Sequence, residues 1–209
     1  MALDTFANLK SSIASWLARS DLTTNIPDLI TIAESQFNRD IRHRRMITTG
    51  TLTTVAQTAT VALPSDYLEA RALLLQTDPV VNLSFVTSSQ LATNWPNASG
   101  YGQPSEYTVI GSNVKLGRVP DAVYNIELEY YQKIPALSDS NTTNWLLTNY
   151  PDVYLWGSLL AAAPFIKDDE RIPMWGSFLQ RAIEGLGQES DRSLWSAGPL
   201  STRVSVTVA

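Results

Sequence analysis

Glu127 and Glu129, in "VYNIELEYY", are two carboxylates at alternate positions of a strand-like segment. On a strand they share one face about 7 Å apart. That spacing suits the carboxylate pair of a glycoside hydrolase. "DDE" at 168–170 offers three oxygen ligands for a metal, and six tryptophans offer stacking surfaces for a sugar. Each feature also has a plainer reading. Two glutamates on the solvated side of a strand are common, and acids at a helix start cap it. His43 is the one histidine, and there is no cysteine. A two-histidine metal site, a thiolate site and a cysteine nucleophile are therefore excluded. A Ser-His-Asp arrangement would have to use His43. No phosphate-binding loop, dinucleotide-binding glycine pattern or nucleophile elbow occurs. The residues predict no enzyme and no cofactor.

His43 sits in "NRDIRHRRM", with Arg39, Arg42, Arg44 and Arg45, in a chain of formal net charge −5. Cations at a helix carboxyl end offset its dipole by about 0.3–1 kcal/mol each. The arginine fork also pairs with carboxylates across a subunit boundary, or with phosphates lining a DNA channel. An acidic chain lacks the positive excess of a broad nucleic-acid surface. The cluster reads as local, and Arg42 and Arg45 are expected to bridge to another chain. Trp95, in "TNWPNASG", is the exposed tryptophan expected to anchor a partner. Trp16, Trp156 and Trp175 fall on apolar helix stripes and are expected in a core; Trp145 and Trp195 are left open.

Several elements position these residues. Asp4 is placed to cap a first helix whose stripe is Phe6, Leu9, Ile13, Trp16 and Leu17. Asn25, Pro27 and Asp28 open a second, with Ile26, Ile30, Ala33, Phe37 and Ile41 on one face. Continued at 100° per residue, that helix places Arg39, Arg42, His43 and Arg45 opposite. From Thr48 onward Thr and Val favour strands. A turn is expected at Pro64 to Asp66, followed by a helical turn or a strand, and "SSQLATNW" reads as a short helix. "YTVIGSNVKLG" reads as a hairpin turning at Gly111 to Asn113. Ile126, Leu128 and Tyr130 alternate onto one strand face. Helices return in "TTNWLLTNYPDVYLWGSLLAAAPFI", a short one then a long one. A last helix carries Trp175, Phe178, Leu179, Ala182, Ile183 and Leu186, capped by Asp168 or Asp169 and ended at Gly185 or Gly187. The apolar run from Tyr154 to Ile166 is too short for a membrane span. "RVSVTVA" at the end alternates as an arm that joins a neighbour's sheet, with Val204, Val206 and Val208 on one side.

These segments sum to an α+β fold. Two N-terminal helices and two to three C-terminal helices form a bundle over residues 1–46 and 140–190. A mostly antiparallel β region is inserted at 47–139, and an extended arm follows at 191–209.

The order of segments resembles the head-to-tail adaptor (connector) proteins of tailed bacteriophages, short-tailed ones especially. "WLARSDLTTNIPDLITIAESQFNRDIRHRRM" is similar to that family's opening helix pair, with an Ala-Glu in the second helix and an arginine-rich end. "VALPSDYLEARALLL" resembles its Leu-Pro-x-Asp turn. "LEYYQKIPALSDSNTTNWLLTNYPDVYLWGSLLAAAPFIKDDERIPMWGSFLQRAIEGL" resembles its carboxyl half. The resemblance implies a structural virion protein of the neck, made in the host cytoplasm. It implies a homo-oligomeric ring, typically of twelve copies, beneath the portal. The ring docks the next tail or nozzle protein and passes packaged DNA without reading its sequence. Rival readings are another neck, head-completion or nozzle component, and a carbohydrate-acting virion enzyme using Glu127.

Overall fold

The computed structural model describes residues 3–18, 21–96, 100–166 and 170–195. It shows an α+β protein whose chain divides into two compact units. One runs to Arg44 and resumes at Pro135; the other is Arg45–Ile134.

The helical unit begins with α1 (Phe6–Leu17) and α2 (Ile26–Asp40). Thr5, rather than Asp4, caps α1, its hydroxyl accepting from the Asn8 N–H at 3.3 Å. Asp4 accepts instead from the Asn8 side chain at 2.7 Å. Asn25 stands at the start of α2 in helical conformation with no side-chain cap bond, so Pro27 and Asp28 carry the start signal. The chain returns as α4 (Trp145–Asn149), α5 (Pro151–Ala161) and α6 (Ile172–Trp195).

The most apolar segment, α5, lies at the centre, touched by α1, α2, α4 and α6. The expected stripes face inward: Leu9, Ile13, Ile26, Ile30, Ala33, Phe37 and Trp175 are each no more than 2% exposed. Fully burying an aliphatic side chain of this size contributes about 1.5–3 kcal/mol. Trp16 departs from its expected place: it is 42% exposed and meets Trp156 edge-on at 5.3 Å. Gly185 and Gly187 do not end α6. Both are exposed and the helix continues past them to buried Ser190. A glycine inside a helix costs only about 1 kcal/mol, which packing of Leu186 on the inner side offsets. Residues 191–195, expected in the arm, are the last turn of α6. Asp168 and Asp169 lie outside the described residues.

The β unit is a pair of four-stranded sheets. The first orders β1 (Ile47–Thr53), β8 (Asn125–Gln132), β3 (Tyr67–Leu75) and β4 (Val81–Asn82). The second orders β2 (Thr60–Ala62), β7 (Asn113–Gly117), β6 (Glu106–Ile110) and β5 (Ser84–Phe85). Pairing is antiparallel throughout except for β5 with β6. The turn at Pro64 to Asp66 leads into the strand alternative, β3. Gly111, at φ +60°, makes the two-residue turn between β6 and β7. Ile126, Leu128 and Tyr130 of β8 pack with Leu52, Leu73 and Leu75 against Tyr107, Val114 and Leu116 of the other sheet. One sheet face thus covers the other. Between β5 and β6 stands α3 (Ser88–Asn94), started by a reciprocal Thr87–Gln90 capping box.

Gly157 sets how closely α5 approaches α2. A Cβ there would stand 2.5 Å from Cζ of Phe37. That ring is buried and meets Tyr154 edge-on at 5.3 Å, so it has nowhere to go. We expect Gly157→Ala to lower the melting temperature, overpacking of about 1–3 kcal/mol outweighing the gain in helix propensity. Differential scanning calorimetry checks it, with Gly176→Ala, where a Cβ meets nothing within 4 Å, as the comparison.

Candidate functional site

The arginine stretch is not a continuous helix face. The last helical residue of α2 is Asp40, and Ile41 turns extended while staying buried. The apolar spacing therefore runs one residue beyond the helix itself. Arg39 is exposed in the last turn. Arg42 folds back, Nη1 donating to the carbonyls of Asn38 at 2.9 Å and Ile41 at 2.8 Å. This is the helix-end role in its most direct form, since those carbonyls lack partners inside the helix. Arg44 and Arg45 are exposed and begin a single 3-10 turn at Arg44–Met46. His43 corrects the sequence expectation most sharply. Rather than lying among solvated cations it is fully buried, stacked on Trp145 at 5.3 Å and edge-on to Tyr150 at 6.0 Å. The Arg44 N–H donates to buried Ser190 of α6 at 3.1 Å. His43 is thus a packing residue, and Arg39, Arg44 and Arg45 are the outward cations.

Trp95 is half-buried at the carboxyl end of α3. Its Nε1 donates to Glu106 at 3.0 Å, and the Arg118 guanidinium lies 5.6 Å from its ring centre. It lines a cavity of about 260 Å³ with Ala59, Leu91, Ala92, Lys115 and Arg118. The tryptophan is one wall of a pocket, not a free-standing anchor.

The carboxylates that could have catalysed are committed to neighbours. Glu129 pairs with Nε of Arg71 at 3.1 Å, and Glu127 accepts from Gln76 at 3.1 Å. Among the described residues no three His, Asp or Glu side chains group as metal ligands. Among the same residues no helix is long and apolar enough to cross a membrane. Val204, Val206 and Val208 lie outside the described residues.

The profile of the family described as SU10 adaptor protein matches residues 4–203. The chain belongs to that family. No curated protein matches it. The chain is therefore a phage adaptor, a structural protein that associates with other virion proteins.

One polar group in the adaptor went unread in the sequence beyond its place in an Ala-Glu pair. Glu34 of α2 is 5% exposed. Its Oε1 accepts from the Leu137 N–H at 2.8 Å and the Tyr154 hydroxyl at 2.9 Å. The Tyr154 hydroxyl accepts in turn from Asn144 Nδ2 at 2.7 Å, which also donates to the Pro135 carbonyl at 2.7 Å. Asn144 Oδ1 caps α4 by accepting from Leu147 N–H at 2.9 Å. This chain of bonds draws residues 135–139, expected with the β region, into the helical unit. Burial pushes the Glu34 carboxyl above its ordinary 4.5, against the lowering effect of the Leu137 and Tyr154 hydrogen bonds. Burial and the facing Glu34 carboxylate push the Tyr154 phenol up as well.

A carboxyl with a raised folded-state pKa contributes its linked stability below 4.5 and loses it as pH rises through the folded value. We expect Glu34→Gln, which keeps an acceptor and carries no charge, to gain stability relative to the wild type between pH 4.5 and neutrality. Glu34→Ala strands the Leu137 N–H and the Tyr154 hydroxyl and should cost about 1–3 kcal/mol per lost partner. Urea unfolding as a function of pH reads both.

Proposed function

We propose that this adaptor forms a closed ring, with twelve copies as the expected number. The ring sits in the virion neck between portal and tail and continues the channel for packaged DNA. The observation that carries the reading is the family match along nearly the whole chain. The mechanism is mechanical. Each copy presents the same surfaces, and a rotation that closes makes a ring. Its two rims then present symmetric platforms, one to the portal and one to the next tail or nozzle protein. DNA passes through without sequence-specific contacts, and no bond is made or broken in the polypeptide's service.

Several features support this. Arg39 and Arg44 are exposed while Arg42 closes the helix end, so these two are the cations offered to a neighbour's carboxylates or to the channel. Glu127 and Glu129 are tied to Gln76 and Arg71, which favours structure over hydrolysis. The alternating segment with Val204, Val206 and Val208 is assigned to a neighbouring subunit or the portal, as a strand added to an existing sheet.

The mass of the purified full chain in solution, alone and mixed with portal, tests the reading. We expect a ring-sized species, formed alone or on the portal. A monomer that ignores portal at every concentration would exclude it. Arg39→Glu with Arg44→Glu should lower the ring fraction at moderate salt, leaving the circular dichroism spectrum unchanged.

A further inference from the structure

The end of α6 is helical against its own sequence. Gly185 and Gly187 lie inside the helix, where each is about fivefold less favourable than alanine. A glycine inside a helix is often kept for a close approach, as Gly157 is. At Gly185 and Gly187 a Cβ would meet nothing within 4 Å among the described residues. Packing in this conformation therefore does not ask for either glycine. A second conformation, in which the helix bends or ends there, does.

The composition changes at the same place. Up to Leu186 the inner side of α6 carries Trp175, Leu179 and Leu186, each no more than 5% exposed. From Gln188 to Ser193 every residue is polar or charged. That stretch brings no apolar side chain to the core. Two hydrogen bonds clasp it instead. The Arg44 N–H donates to Ser190 Oγ at 3.1 Å, and the Tyr150 hydroxyl donates to Glu189 at 2.6 Å in an exposed position.

The fit beside the clasp is loose. A cleft of about 280 Å³ separates Ile183, Gly187 and Asp191 of α6 from Asp40, Arg42 and His43 at the end of α2. Close-packed helices leave no gap of that size. A polar segment, exposed hydrogen bonds and a gap beside it are the marks of a region that opens well below the free energy of global unfolding.

We propose that Gly185 and Gly187 form a hinge at which residues 188–195 leave the helical unit and unwind. Unwinding lengthens that stretch from about 12 Å to as much as about 26 Å. The gain lets residues 196–209, which follow it, reach a neighbouring virion protein while the rest of the bundle stays in place. The use of the hinge in assembly rests on the ring reading above; its existence rests on α6 alone.

Amide hydrogen exchange on the full chain at neutral pH reads the hinge. Residues 188–193 should exchange about a hundredfold faster than residues 177–183 of the same helix. Gly185→Ala combined with Gly187→Ala should slow exchange at 188–193 by about tenfold or more, the two gains in helix propensity multiplying. The same double variant should assemble with the portal protein severalfold less well than the wild type. Tyr150→Phe, which keeps the ring and removes the donor to Glu189, should speed exchange at 188–193. Gly176→Ala, in the same helix and with the same open space at its Cβ, should alter neither that exchange nor assembly. Equal protection along the whole of α6 would overturn the hinge. A double variant that slows exchange yet assembles as the wild type does would overturn its part in assembly. A wild-type chain that never assembles would overturn the ring reading, and the exchange rates would still decide the hinge.

Discussion

Glu34 holds the helical unit of this adaptor together from its middle. A carboxylate on α2 with 5% exposure accepts two donors, one from the backbone of Leu137 and one from Tyr154 on α5. Losing the carboxylate would leave the Leu137 N–H and the Tyr154 hydroxyl without this acceptor, which costs more than a made bond contributes. The network therefore fixes the path of residues 135–147 and, through Asn144, where α4 begins. Around it α5 buries Val153, Leu155 and Leu159, and Gly157 lets Phe37 close over it. Polar bonds choose the arrangement; apolar burial supplies most of the stability.

The β unit is built by a different rule. Its core is two apolar sheet faces, and its lateral edges end in very short strands, β2, β4 and β5. Short edge strands limit indiscriminate pairing.

Much of this was legible in the residues. The alternation of Ile126, Leu128 and Tyr130 is a local signal, and so is the glycine turn at Gly111; both report strand geometry directly. The helix stripes through Leu9, Ile13, Ile30 and Phe37 are equally local. What stayed hidden depends on partners far along the chain. Nothing near His43 announces Trp145, against whose ring the imidazole stacks inside the helical unit, where the α2 face ends at Asp40. Glu34 looks like any exposed helical glutamate until Leu137 and Tyr154 close over it. Gly185 and Gly187 carry a stop signal that packing on the opposite face of α6 overrides. The loop context marks Trp95, but its pocket depends on Gly117 and Arg118, which β7 brings beside it.

Ring formation by this adaptor is tested by electron cryomicroscopy of the full chain assembled alone or on the portal. A closed ring of identical copies around an open channel is the expected result. Well-ordered particles that contain one copy of the chain, alone and in the presence of portal, would contradict it.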